Sequence, residues 1–142
     1  MVERLIEMIK EYQANVLEAA SLFETYKGIS RSKLMRARSE GLPRKGYVDP
    51  NKTIEYYFHG IGLWVSFPDR EIDWDFGHGG RLDGFDLWRL KMFAEDGTNK
   101  FTEFKDSKLL EEAFMEAVRT NIIEKRFTDH QDDLYYLSSK HQ

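Results

Sequence analysis

The segment from Thr53 to Asp96 decides the reading of this chain: TIEYYFHGIGLWVSF (53–67), PDR (68–70), EIDWDF (71–76), GHGGRLDG (77–84) and FDLWRLKMFAED (85–96). Residues 53–67 are dense in β-branched and aromatic side chains, which suit a pleated, half-buried surface. Pro68-Asp69 is turn chemistry, and residues 71–76 alternate acidic with apolar, the period of a strand with one covered face. The expectation is an antiparallel hairpin. Its second strand puts Ile72, Trp74 and Phe76 on one face and Asp73 and Asp75 on the other. Gly60 and Gly62, two apart in the first strand, mark a bulge or a place where a bulky ring crosses the backbone. After a glycine-rich loop, Asp83 is placed to cap a helix over 85–96, with Asp86 at its third position, where a carboxylate meets free amides. Phe85, Leu87, Trp88, Leu90, Met92, Phe93 and Ala94 cover most of that helix's circumference. It is therefore expected to be deeply packed, with Trp64, Trp74 and Trp88 in the core.

Working outward, Val2, Leu5, Ile9, Tyr12, Val16, Ala19, Phe23 and Tyr26 keep an unbroken 3-4 spacing that predicts a long amphipathic helix ending at Gly28. Ile6, Leu17, Ala20 and Leu22 widen the stripe beyond a bare coiled-coil seam, so the helix is expected to pack on the domain's own core; a dimer seam is the alternative. Ser30 or Ser32 can cap a shorter helix, about 31–40, which Gly41 and Pro43 stop, and 42–52 reads as loop. Asp106 or Ser107 can cap a last helix with Leu109, Leu110, Ala113, Phe114, Ala117 and Val118 as its covered stripe. Ile122-Ile123 and 134–137 can pair as short strands, and Ser138 to Gln142 should fray. Together these elements predict one α+β domain over 1–142: a small antiparallel sheet packed by a long N-terminal helix and two further helices.

The chain has 142 residues, the size of one domain, and is 41% hydrophobic, enough to build a core rather than remain disordered. Cysteine is absent, which removes thiol catalysis, disulfides and Cys-ligated zinc and suits a cytoplasmic location. MVERLIEMIKEYQ has no uninterrupted apolar run, so neither a signal peptide nor a membrane span is expected there. The net charge is −4, unevenly spread. Lys27, Arg31, Lys33, Arg36, Arg38, Arg44 and Lys45 face one acid, Glu40, giving 27–45 a net +6 and the remainder −10. No aromatic residues for base stacking interleave the basic segment beyond Tyr26, so a nucleic-acid partner is not expected.

Asp73, Asp75, His78, Asp83 and Asp86 gather carboxylates and an imidazole, the groups that bind divalent metals or exchange protons. They match no ligand spacing such as an EF-hand loop or HExxH, and no metal is expected. Caps and ion pairs account for them: Arg89 on a largely apolar helix needs a carboxylate, with Asp73, Asp75 and Asp86 as candidates. Asp73, Asp75, Asp83, Asp86 and Arg89 are thus read as a structural polar cluster. His59 and His78 lack an evident nucleophile, Ser66 lacks a GxSxG context, and the GHGG stretch lacks a phosphate-loop lysine. No catalytic residue and no cofactor is assigned.

FHGIG (58–62), DWDFG (73–77) and GRLDGFDLWRL (80–90) resemble the recognisable core of a family of small bacterial proteins of unknown function. Members of such families often sit beside polymorphic toxin genes, so the resemblance implies an immunity protein that binds a cognate toxin, a basic nuclease domain being one such partner. The surface expected to bind is acidic: Glu111, Glu112 and Glu116 on the last helix, with Asp129, Asp132 and Asp133 in the following loop. The basic segment 27–45 is the competing surface. Two other readings stand beside this one. One is a small hydrolase or metal-dependent enzyme using Asp73, Asp75, His78 and Asp83. The other is a homodimeric scaffold joined through the first helix.

Overall fold

The computed structural model describes residues 1–30, 34, 41–59, 62–75, 84–95, 100–127 and 133–142, without the side chains of 73–75, 127 and 133. Helix α1 (Val2–Lys27) is followed by strands β1 (Lys45–Tyr47), β2 (Glu55–His59), β3 (Gly62–Phe67) and β4 (Arg70–Asp75). Helix α2 (Leu87–Glu95), a 3-10 turn (Thr102–Lys105), helix α3 (Ser107–Arg119) and strands β5 (Ile123–Phe127) and β6 (Asp133–Leu137) complete the order. A long first helix, two further helices and a small antiparallel sheet make an α+β arrangement. The chain divides into two compact units, 14–82 and 1–13 with 83–142. The helix expected at 31–40 lies almost wholly outside the described residues; Leu34 within it is buried.

In the unit 14–82, the strands form one antiparallel sheet in the order β1-β2-β3-β4. The stretch 53–67 is two strands rather than one. His59 pairs with Gly62, so β2 and β3 fold back on each other through the two-residue connection 60–61. Gly62 thus opens β3, and Gly60 lies outside the described residues. Phe67 pairs with Arg70, making Pro68-Asp69 the next turn, as its chemistry predicted. β1, missed in a stretch read as loop, pairs Gly46 with Tyr56, and the Tyr56 ring lies over the glycine: a Cβ there would stand 3.2 Å from Tyr56 Oη. The ring-over-glycine arrangement expected in the first strand therefore occurs at Gly46.

The inward face of this sheet follows the alternation: Tyr56, Phe58, Leu63, Val65, Phe67 and Ile72 are buried. The second half of α1 brings Val16, Ala19, Ala20 and Phe23 to the core, and Phe23 meets Tyr56 edge to face at 5.4 Å. Arg70 Nη2 reaches Glu18 Oε2 at 2.7 Å while its guanidinium lies 4.4 Å from the centre of the Phe67 ring. Gly28 ends α1 at φ +66°, its N–H bonding to Glu24 O at 3.2 Å, the C-cap read from the sequence. Buried Asp49 accepts from Thr53 Oγ1 (2.6 Å), Thr53 N (2.9 Å) and Ile54 N (2.7 Å), closing the loop before β2.

In the unit 1–13 with 83–142, the first half of α1 buries Leu5, Met8, Ile9 and Tyr12, and Tyr12 meets Phe93 of α2 at 5.6 Å. The 3-10 turn, with Phe104 and the preceding Phe101 buried, packs on both α2 and α3. Arg4 clamps it. Its Nε donates to Glu103 Oε1 at 2.6 Å, its Nη2 to Lys100 O at 3.2 Å, and its guanidinium covers the Phe101 ring at 4.6 Å. Asp106 caps α3, accepting from Lys108 N and Leu109 N. β5 and β6 pair antiparallel from Ile123↔Leu137 to Phe127↔Asp133, as the two apolar stretches predicted. The terminal residues, expected to fray, carry specific contacts. Ser138 is buried, its N–H bonds to Ile122 O at 2.9 Å, and Gln142 Nε2 donates to Leu137 O at 2.9 Å.

Candidate functional site

The stretch Gly84–Leu90 begins extended. Phe85 exchanges both backbone hydrogen bonds with Tyr135 of β6, at 3.0 and 2.8 Å, and its side chain is fully buried. That bridge keeps Phe85 out of the helix, so α2 starts at Leu87 and not at 85 as the sequence reading had it. Asp86 therefore holds the capping position assigned to Asp83: its Oδ1 accepts from Arg89 N at 2.8 Å, and its carbonyl accepts from Leu90 N at 3.1 Å. The other carboxylate oxygen takes Arg89 Nη1 at 2.5 Å. Arg89 is only 4% exposed, and this charge-assisted contact neutralises its guanidinium within the fold. Gly84 lies so close to β6 that a Cβ would stand 2.8 Å from Leu134 Cδ1 and 3.0 Å from Tyr136 Oη. Each of these residues has a structural task.

The side chains of the remaining members of the expected polar cluster lie outside what the structure describes. Asp73 and Asp75 lie on β4, as register partners of Trp64 and Gly62, with side chains outside the description. His78, Asp83, Asp129 and Asp132 lie outside the described residues, and Asp133 opens β6 opposite Phe127. His59 is exposed at the end of β2. Among the described residues no group of three or more His, Cys, Asp or Glu could hold a metal ion, and no helix is long and apolar enough to cross a membrane.

The expectation of three core tryptophans is corrected at two of them. Trp88 is 54% exposed and Trp64 half-buried; only Arg89, Leu90, Phe93 and Ala94 of α2 are buried. The apolar circumference of α2 misled because a helix on one side of a small unit has only one stripe to cover. The α1 stripe, offered as a dimer seam in one reading, is covered in the folded chain from Leu5 to Phe23, with Tyr26 left exposed.

On α3, Leu110, Ala113, Phe114 and Ala117 are buried, which turns the opposite side of the helix outward. Lys108, Glu111, Glu112, Met115, Glu116 and Arg119 line one open surface there. Met115 at its centre is 58% exposed. Arg119 forks onto Glu116, Nε to Oε2 at 3.1 Å and Nη2 to Oε1 at 2.6 Å, and this carboxylate raises the pKa of the Arg119 guanidinium. Lys91 Nζ of α2 stands 3.8 Å from Glu111 Oε2, joining the outer sides of the two helices. Trp88 precedes Lys91 by three residues and Met115 follows Glu111 by four, so each lies one helical turn from that pair. Glu111, Glu112 and Glu116 were legible as a surface from the sequence. Met115 was passed over, although a large apolar residue off the covered stripe is the signal that could have found it; Trp88 had no such signal, because α2 offers apolar residues on every side.

The chain belongs to the DUF6896 family, a domain of unknown function, which it matches over residues 5–137. No curated protein and no solved structure matches it.

Proposed function

We propose that this DUF6896 chain is an immunity-type protein that works in the bacterial cytoplasm and neutralises a toxin by binding it, without chemistry of its own. The observation that carries the reading is the outer surface of α2 and α3. Trp88 and Met115, 54% and 58% exposed, each lie one helical turn from the Lys91–Glu111 pair and are accompanied by Glu112 and Glu116. Exposed tryptophan and methionine are the residue types enriched at the centres of protein interfaces, where a few such anchors carry most of the binding energy. Glu111 and Glu116 are already paired with Lys91 and Arg119, so the pull toward a basic partner, such as a basic nuclease domain, rests on Glu112 and on the acids that follow β5. The acidic residues Asp129 and Asp132, between β5 and β6 in the sequence, and Asp133, the first residue of β6, add acidic charge farther along the chain.

The test is co-expression with the products of the adjacent genes, any toxin domain among them first, scored as cell survival and as a co-purifying complex. Met115→Asp and the reversal Glu111→Lys with Glu112→Lys are expected to abolish protection while leaving the melting temperature within a few degrees. Loss of protection only on reversing Arg31, Arg36 and Arg38 would move the interface to the basic segment. Failure to bind any adjacent gene product, together with turnover of a small substrate dependent on Asp75 or His78, would overturn the reading in favour of an enzyme.

A further inference from the structure

The outward face of the four-stranded sheet carries an aromatic row beside an acidic one. Register places Lys45, Tyr57, Trp64 and Asp73 side by side across the four strands, and Tyr47, Glu55, Ser66 and Glu71 side by side in the next row. Tyr57 and Trp64 lie parallel, 7° between planes and 6.2 Å between centres. Tyr57, Tyr47, Glu55 and Glu71 are exposed. Lys45, Tyr47, Glu55, Tyr57 and Ser66 line an open cleft of about 360 Å³. Neither Glu55 nor Lys45 makes an ion pair within the described residues, so one free carboxylate stands with Tyr47 opposite it, Tyr57 two residues along and Trp64 on the diagonal.

We propose that this face receives an arginine side chain of a basic polypeptide. A guanidinium is planar and weakly hydrated. It can stack on the Tyr57–Trp64 pair while its N–H fork donates to Glu55, so the aromatic surface and the carboxylate are satisfied by one group. Three acids in these two rows, Glu55, Glu71 and Asp73, set against one lysine oppose a phosphate backbone, which argues against the nucleic-acid use of an aromatic sheet. Lys45 at the end of the aromatic row sets the limit of the site. Its charge opposes any incoming cation alike, and arginine is preferred to lysine because a weakly hydrated planar guanidinium stacks on the rings whereas a compact, strongly hydrated ammonium gains little from them. The site lies in the unit 14–82 and does not depend on the α3 surface or on the partner being a toxin.

The experiment is a titration of the full chain, followed by ¹H–¹⁵N NMR, with the capped tripeptide Gly-Arg-Gly and its lysine and citrulline counterparts. Arginine is expected to move the amides of Tyr47, Glu55, Tyr57 and Ser66 and the indole N–H of Trp64. Its affinity is expected to exceed that of citrulline, equal in shape but uncharged, by about fivefold. Glu55→Gln should remove that preference and Trp64→Leu should weaken arginine binding by about fivefold, while Glu3→Gln, at an exposed position on α1, changes neither. Equal affinity for citrulline, shifts confined to other residues, or no shift at peptide concentrations on the order of 20 mM would overturn the proposal.

Discussion

Asp86 accepts twice from Arg89: one carboxylate oxygen takes the backbone N–H at 2.8 Å and the other takes the guanidinium Nη1 at 2.5 Å. A single side chain thereby caps α2 and neutralises a cation that is almost wholly buried. The cap is set in place from the other side by Phe85, whose backbone is tied to Tyr135. Helix start, strand bridge and ion pair thus share three consecutive turns of logic: Phe85 stays extended, Asp86 caps, and Arg89 closes the first turn.

Arg89→Met should therefore leave the Asp86 carboxylate with its cap bond but without its counter-charge and cost about 3 kcal/mol. Urea unfolding of Arg89→Met, Asp86→Ala and the double variant gives the coupling directly. A midpoint unchanged in Arg89→Met would show that the pair contributes nothing to the fold.

Two glycines make separable predictions. Gly84→Ala pushes a methyl group to within 2.8 Å of the buried Leu134 and 3.0 Å of Tyr136, and should cost about 1–3 kcal/mol through overpacking. Gly28→Ala meets nothing within 4 Å but must hold φ near +66°, so its cost should stay near 1 kcal/mol and come from backbone strain alone. Relieving substitution at Leu134, such as Leu134→Ala, should soften the Gly84→Ala effect and leave Gly28→Ala untouched. Equal responses of both would contradict the two mechanisms.

Ile9 and Val16 are buried in α1, Ile9 in the unit 1–13 with 83–142 and Val16 in the unit 14–82. Ile9→Asp and Val16→Asp each place an unpartnered carboxylate in a core and should unfold the protein, seen as loss of the cooperative circular-dichroism transition. A variant that stays folded and merely shifts from dimer to monomer in sedimentation would make the stripe a subunit seam instead.

Acid should weaken two specific ties. The Thr53 hydroxyl holds Asp49 below its ordinary pKa of 3.8, and the Arg4 guanidinium holds Glu103 below 4.5. Because both folded values are lowered, their stabilisation is complete above those ordinary values and is lost as pH falls through the folded ones. Asp49→Asn and Glu103→Gln should each be less stable than the parent at pH 7 and show a smaller further loss below about pH 4. Parallel stability–pH curves for parent and variants would rule the two groups out.

Sequence alone determined the elements whose signal is local. The 3-4 spacing of α1 and its Gly28 stop, the Pro68-Asp69 turn, the Asp106 cap and the pairing stretches at 123 and 134–137 depend on backbone preference and periodicity, which neighbouring residues carry between them. The need of Arg89 for a carboxylate was equally legible, since burial of a guanidinium demands one. Tertiary structure decided what depends on residues distant in the chain. Only pairing of His59 with Gly62 splits 53–67 into two strands, because a strand and a tight hairpin share one composition. Only the bridge to Tyr135 moves the cap from Asp83 to Asp86. Exposure of Trp88 was hidden for the same reason: which side of an all-round apolar helix is covered depends on what packs against it, not on the helix itself.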